Sequence, residues 1–224
     1  CGHLDYFINK SLKFSIGARW ENYESQYVDS LGELFNPSDK MSGGKISINK
    51  NLSDSSNIFM SIARGFNQGG FNLNLGLAPE SNNSNLYYDP EFLTNYEIGF
   101  NSQLFNKMMN VSAVIFYSDR DDQQVLISTQ VDPMDPNTFS FLTQNAAEGI
   151  NKGVELNLDM ELSESVYFFS RFGLLQTDIN NWKSRPDLEG RAQAHAPKKS
   201  FALGIIWSLT DRASLSIDLV GKSS

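Results

Sequence analysis

The densest group of side chains that could do chemistry is a charged run, Asp119-Arg120-Asp121-Asp122. Closely spaced carboxylates can act in acid–base catalysis or bind calcium. The run lacks the alternating oxygen ligands and the glycine of a calcium loop, and no His, Cys or activated Ser lies near it in the sequence. We therefore predict no catalytic residue, and we interpret the run as the solvated end of a strand.

Residues that commonly bind metals are few and scattered. Cys1 is the single cysteine, and the two histidines, His3 and His195, stand far apart in the chain. One cysteine cannot form an internal disulfide, and two distant histidines do not make a metal-binding set. The sequence therefore predicts neither a metal site nor a bound cofactor.

Other residues could bind a ligand without transforming it. Arginines pair with anions, and Arg64, Arg171 and Arg19 fall on or near a polar sheet face where neighbouring carboxylates are alternative partners. Adjacent tyrosines can stack on a planar ligand or pack within their own loop. The candidate ligand-binding residues are Arg64, Asn67, Gln68, Tyr87, Tyr88 and Arg171.

The elements that hold these residues are strands with alternating apolar and polar side chains. Ile58, Met60 and Ile62 share one face of such a strand, whereas Phe59 and Ser61 fall on the other. The same period predicts ten strands, at residues 4–8, 12–22, 43–51, 57–65, 92–104, 109–118, 153–160, 166–175, 201–209 and 213–221.

The connections between these strands alternate in length. Short turns occur near residues 10, 54, 106, 163 and 211, and long polar segments near residues 32, 78, 135 and 187. An up-and-down sheet then has every short turn at one end, an asymmetry typical of outer-membrane barrels. Soluble sandwiches have shorter strands and Greek-key connections. We predict an all-β antiparallel meander that forms part of a transmembrane barrel.

The alternation also predicts which side chains face lipid. One apolar side chain in every two points outward, and a slip of one residue would turn them all inward. The predicted lipid-facing residues are Phe14, Ile16, Ile98, Phe100, Val111, Ala113, Leu156, Leu158, Leu203 and Ile205.

Three segments carry a resemblance to a known family. They are ARGFNQGGFN at residues 63–72, PEFLTNYEIGFNSQLFNKMMNVSAVIFYSDRDDQQV at residues 90–125, and NAAEGINKGVELNL at residues 145–158. In the first, Gly69 and Gly70 are expected to allow a sharp turn with positive φ. The three, in this order, resemble motifs of TonB-dependent outer-membrane receptors, although Lys or Arg is more usual near Phe100 and Asn101.

The resemblance implies an active transporter rather than an enzyme. Residues 1–224 are expected to be a single partial barrel domain, about ten strands of a barrel of about 22, without plug domain, TonB box or closing strands. The whole receptor would be monomeric in the outer membrane of a Gram-negative bacterium. Its partners would be membrane lipid, TonB acting through the plug, and a small-molecule ligand. A ferric siderophore is the favoured ligand, with cobalamin or a glycan open.

Composition excludes some partners and leaves two alternatives. The net charge of −8 argues against nucleic acid, and no apolar run approaches the length of a transmembrane helix. A mean hydropathy of −0.34 does not argue against a membrane, because barrel strands alternate apolar and polar residues. The alternatives are a complete ten-stranded barrel acting as porin, adhesin or protease, and a soluble secreted β-sandwich that binds glycans or proteins.

Overall fold

The computed structural model describes residues 1–28, 32–72, 86–130, 132, 134–135, 137–182, 186–193 and 196–223. Its strands, in chain order, are β1 (Gly2–Asn9), β2 (Leu12–Glu24), β3 (Tyr27–Val28), β4 (Leu34–Phe35), β5 (Ser38–Asn51), β6 (Ser56–Asn67), β7 (Gly70–Phe71), β8 (Tyr87–Tyr88), β9 (Glu91–Leu104), β10 (Met109–Gln130), β11 (Phe139–Ser163), β12 (Val166–Asn181), β13 (Lys199–Thr210) and β14 (Ala213–Lys222). One 3-10 turn, Pro186–Leu188, is the helical element of these residues, and no helix there is long and apolar enough to span a membrane. The predicted all-β class is confirmed.

The ten long strands form one sheet in the order β1-β2-β5-β6-β9-β10-β11-β12-β13-β14. Each pair in it is antiparallel, and each strand pairs with the long strands nearest in the chain. Within the described residues β1 pairs only with β2 and β14 only with β13, so the sheet is open. This meander contradicts both the Greek-key sandwich and a closed ten-stranded barrel.

The sheet has one apolar face and one polar face. A cross-strand row on the apolar face joins Phe14 to Ile48, Met60, Ile98, Ile115 and Val154, in that order. The register places all ten predicted lipid-facing residues on this face, which confirms the predicted alternation.

Burial is inverted relative to a water-soluble domain. On the apolar face the side chain of Ile98 is 48% exposed, whereas Ser15 and Ser61 on the polar face are only 6% and 5% exposed. In the described part of the chain the buried hydrophobic residues are Met41, Leu86, Ala147 and Trp182. A broad band of exposed aliphatic side chains is stable only when a partner surface or lipid covers it.

Several strands run further than the sequence predicts. Strand β10 continues to Gln130 and β11 begins at Phe139, so most of the long segment expected near residue 135 is a two-stranded ribbon. Both faces of this ribbon lie beyond the apolar band, and its alternation is therefore weak. Alternation in the sequence therefore predicts only the part of each strand that crosses the apolar band, and not the full length of the strand.

Phenylalanine rings lie over glycines of neighbouring strands. A Cβ on Gly99 would come within 2.3 Å of the Phe59 ring, and one on Gly204 within 2.2 Å of the Phe169 ring. Both are directly paired positions in the ladders. The glycines make room for aromatic side chains on the otherwise polar face, an arrangement that fixes strand register. This explains why residues 166–175, which include Phe169, alternate poorly.

Candidate functional site

An aromatic cluster joins two small hairpins at the end of the sheet that carries the long connections. Tyr27 contacts Phe35 and Phe71 at centroid distances of 6.2 Å and 5.3 Å. Phe71 meets the edge of Tyr87 at 5.5 Å, and Tyr87 stacks on Tyr88 at 6.4 Å. Strands β3 and β4 therefore pack through side chains against β7 and β8. The two candidate tyrosines are half-buried members of this cluster.

The Tyr87 hydroxyl anchors the cluster to the main sheet by donating a hydrogen bond to Asp39 at the start of β5. Burial of the ring, together with this bond and the nearby carboxylate charge, raises the pKa of Tyr87 well above its usual value. The side chain is therefore neutral over the whole physiological range and remains a donor.

Gly69 and Gly70 lie directly under the two tyrosines. A Cβ on Gly69 would come within 2.4 Å of the Tyr87 hydroxyl, and one on Gly70 within 2.5 Å of the Tyr88 hydroxyl. Among described glycines positive φ occurs at Gly32 and Gly190, so the turn with positive φ expected at residues 69–70 is wrong. These glycines serve close packing of the loop instead.

A charged pair joins the start of β9 to the half of β10 that lies nearer the long connections. The Arg120 guanidinium donates to Glu91 Oε1 through both Nε, at 2.9 Å, and a terminal nitrogen. The backbone N–H of Gln124 donates to the other carboxylate oxygen at 3.0 Å. The side chains of Arg120 and Glu91 are only 23% and 10% exposed, so this pair is much less screened than a surface ion pair.

Gln124 extends the contact to the loop after β6. Its amide nitrogen donates to the backbone oxygens of Gln68 at 2.9 Å and Asp89 at 3.0 Å. Its amide oxygen accepts a hydrogen bond from the Asn67 side chain at 2.8 Å. The candidate residues Asn67 and Gln68 are thus held from β10 and serve the internal structure of the wall.

Asn145 completes the connection from β11. Its side chain accepts a hydrogen bond from Asp89 N at 2.7 Å and donates to the backbone oxygens of Asp89 at 2.7 Å and Asp122 at 2.9 Å. We call Asn67, Asp89, Glu91, Arg120, Gln124 and Asn145 the loop clamp. It fastens the connection between β6 and β9 to strands β10 and β11.

The charged run at residues 119–122 is not the solvated end of a strand that the sequence predicts, because β10 continues to Gln130 and Arg120 belongs to the loop clamp. The β10–β11 register shifts between Arg120 and Gln124, and Asp122 has a φ of 54°, as in a β-bulge. The bulge lets Arg120 and the Gln124 N–H reach the same carboxylate. Among the described residues no three His, Cys, Asp or Glu side chains are placed to hold a metal ion.

Arg64 was expected on or near the polar face, but it lies on the apolar face. Strand β6 pairs regularly with β9, so Arg64 has the same orientation as Ile62 and lies on the apolar face. Its guanidinium stacks on the Phe92 ring at 4.5 Å, a favourable cation–π distance. Side chains alternate strictly along an unbroken ladder, so Arg64 must share the face of Ile62.

Arg171 lies on the polar face as predicted, but in the half of the sheet nearer the short turns. It is bonded to Asp159, which also accepts from the Tyr167 hydroxyl, and its guanidinium donates to the Leu158 carbonyl at 2.9 Å. The residue opposite Arg171 on β11 is Asn157. Arg171 therefore belongs to a local polar network in which its charge is already paired.

The structure brings together four of the six candidate residues: Asn67, Gln68, Tyr87 and Tyr88. Arg64 lies on the other face and Arg171 nearer the other end, while His195 is outside the described residues. Sequence reasoning missed the central roles of Glu91, Arg120 and Asn145, although the motif segments quoted above contain all three. Motif membership was the available signal, but it does not reveal which partners the residues contact.

An open, ten-stranded antiparallel meander with one exposed apolar face and alternating short and long connections defines the wall of a membrane-spanning β-barrel. Residues 2–222 match the family described as "TonB dependent receptor-like, beta-barrel". The chain belongs to this family, whose members are transport receptors of the Gram-negative outer membrane rather than enzymes. A sequence comparison with characterised proteins gave no match.

Solved structures of such receptors share the fold. The chain is similar to the ferric yersiniabactin uptake receptor FyuA from Yersinia pestis, with a TM-score of 0.74 and 18% identity over 98% of this chain and 33% of FyuA. For the siderophore receptor PiuA from Acinetobacter baumannii the values are 0.72, 18%, 97% and 32%. For the copper transporter OprC they are 0.68, 13%, 93% and 33%. The chain thus spans about a third of the length of these proteins.

Proposed function

We propose that this chain supplies part of the barrel wall, with its outer loops, of an active receptor that imports a scarce nutrient across the outer membrane of a Gram-negative bacterium. The observation that carries the proposal is the open sheet whose exposed face is apolar. Such a sheet requires lipid on one face and further strands at both edges. A length of about a third of the similar solved proteins supports the same interpretation.

We propose that the cargo is a ferric siderophore. PiuA is named as a siderophore receptor, and FyuA as a ferric yersiniabactin uptake receptor. The copper transporter OprC has a comparable likeness, which makes copper the natural comparison in any test. TonB would act through a plug domain contributed by the rest of the protein, and the whole receptor would be a monomer.

Under this proposal the long connections face the outside of the cell. Tyr87 and Tyr88 then form part of an aromatic surface near the entrance, and Asn67 and Gln68 hold that surface on the wall through the loop clamp. Arg171 lies deeper on the face that encloses the lumen. The residues that would touch cargo are expected among these side chains and their neighbours on the polar face.

Uptake of radioactive iron by cells that carry the full-length gene tests the proposal. Expression should support uptake of at least one ferric siderophore from a panel, and deletion of TonB should abolish it. Copper supplied at the same concentration is the comparison cargo. Uptake that persists without TonB, or accumulation of copper alone, would contradict the proposal.

A further inference from the structure

Three arginines of the described strands are paired with carboxylates on the polar face. Arg120 binds Glu91 and Arg171 binds Asp159, and nearer the first strand Arg19 binds Glu21. A guanidinium that already binds a carboxylate must give up or share that contact to bind an anionic ligand. The wall therefore offers no preformed arginine cluster among these residues.

Lysines do not replace such a cluster. Lys13 lies 3.7 Å from Asp5, and no carboxylate lies within salt-bridge distance of Lys45 or Lys222 in the described residues. Lys45 is on β5 and Lys222 on β14, which stand seven strand positions apart in the sheet. At about 4.8 Å per strand they are separated by roughly 30 Å, so the two ammonium groups cannot converge on one small molecule.

Uncharged amides and hydroxyls lie between the charged pairs on the same face and surround the Glu97 carboxylate. Ser118 donates to Asn95 at 2.7 Å, and Asn95 donates in turn to Glu97 at 2.7 Å, which also accepts from Ser61 at 3.2 Å. In the same part of the face, the hydroxyl of Thr177 accepts from the backbone N–H of Gln193 at 2.9 Å. Such groups offer both donors and acceptors and discriminate little between charges.

We infer that the cargo is a ferric chelate without net negative charge, a deepening that rests on the proposed siderophore uptake. Three hydroxamate groups, each with one negative charge, neutralise Fe³⁺. Three catecholate groups, each doubly charged, leave three negative charges on the complex. The second type of complex requires a concentration of unpaired cations, whereas the first is matched by amides, hydroxyls and paired charges.

Binding to the purified full-length receptor separates the two classes. Ferrichrome serves as the neutral ferric trihydroxamate and ferric enterobactin as the triply charged ferric tris-catecholate, and tryptophan fluorescence quenching measures Kd for each. We expect ferrichrome to bind at least about tenfold more tightly, which corresponds to roughly 1.4 kcal/mol. Tighter binding of ferric enterobactin would overturn the inference and leave the proposed uptake intact. Binding of neither, together with absence of TonB-dependent iron uptake, would overturn both.

A pair of matched variants tests the physical cause. Glu91→Gln removes the counter-charge of Arg120, whereas Glu97→Gln removes one negative charge from the same face without freeing an arginine. We expect Glu91→Gln to tighten ferric enterobactin binding by about tenfold relative to Glu97→Gln, because one guanidinium becomes unpaired. Ferrichrome binding should change equally in both variants. Equal enterobactin affinities would show that charge pairing in the wall does not select the cargo, provided that both variants retain the heat-modifiable gel mobility of a folded barrel.

Discussion

Ile98 lies in the middle of the apolar row and provides the sharpest test of the lipid-facing band. An Ile98→Arg change places a cation near the midplane of the hydrocarbon, and we expect it to destabilise the barrel by about 2–4 kcal/mol. Resistance of the folded barrel to heat, observed as gel mobility before boiling, measures the effect in the full-length receptor.

The matched change on the polar face is Asn101→Arg. Asn101 lies three residues further along β9, and its amide donates to Asn57 at 3.3 Å among other polar side chains. A cation there stays in contact with water and polar groups, so the variant should keep nearly the unmodified heat resistance. Equal loss from both variants would mean that the band is misplaced.

Asn145 tests the loop clamp. An Asn145→Ala change removes the hydrogen bonds to Asp89 and Asp122, and we expect a loss of about 1–2 kcal/mol in the local stability of the long connections. Limited proteolysis of intact cells should then cut the connection between β6 and β9 faster. Asn137→Ala, at an exposed position near the tip of the same ribbon, is the control. Identical cleavage rates in the two variants would show that the hydrogen bonds of Asn145 do not hold the connection in place.

Single residues also show which parts of the structure the sequence alone predicts. Alternation placed Ile98 and Arg171 correctly, and the same rule, applied strictly, places Arg64 with Ile62 on the apolar face. The pairing of Glu91 with Arg120 could not be predicted, because the two residues are 29 positions apart and meet only after β9 and β10 are in register. Long-range polar contacts depend on register and bulges, which local patterns do not specify.

Strand elements in this wall depend on glycines that accept an aromatic neighbour. A Cβ on Gly153 would come within 2.2 Å of the Leu174 carbonyl oxygen and 2.8 Å of the Phe116 ring. A Gly153→Ala change must therefore move backbone as well as a side chain, and we expect it to cost about 1–3 kcal/mol. The heat at which the folded barrel loses its gel mobility should fall.

Gly65→Ala is the matched control for this element, since a Cβ there meets nothing within 4 Å. Its heat resistance should equal that of the unmodified receptor or exceed it slightly, because alanine restricts the unfolded chain. Indistinguishable behaviour of the two variants would show that the wall adjusts to a Cβ at Gly153 and that close packing does not fix the register there.

At the scale of elements, existence and order were predictable and extent was not. All ten long strands were expected near their observed positions, because each one crosses the apolar band with alternating side chains. The end of β10 and the start of β11 lie outside that band. The small hairpins β3–β4 and β7–β8 lie outside it as well. Their residues are fixed by contacts such as those among Phe71, Tyr87 and Tyr88, which produce no periodic pattern in the sequence.

At the scale of the whole molecule, stability depends on the two edges of the sheet. Strands β1 and β14 each have a partner on one side only in the described residues, and the apolar side chains of both are exposed. Unpaired backbone N–H and C=O groups are not tolerated in hydrocarbon, where no water replaces the missing partner. Stability of the wall therefore depends on strands that this sheet does not itself contain.

The last prediction compares residues 1–224 alone with the full-length receptor. Refolded into detergent or lipid, the isolated chain should aggregate and show no heat-modifiable gel mobility, because neither edge can be paired without an unfavourable closure of β1 onto β14. Full-length receptor treated in the same way should fold and migrate as a compact barrel. A disulfide test adds a direct measurement: cysteines placed at Tyr6 and Ile217, one on each edge strand, should not crosslink within a monomer of the full-length receptor. An isolated chain that folds to a heat-modifiable monomer and crosslinks between these positions would mean that ten strands close on themselves, and the receptor-wall interpretation would fail.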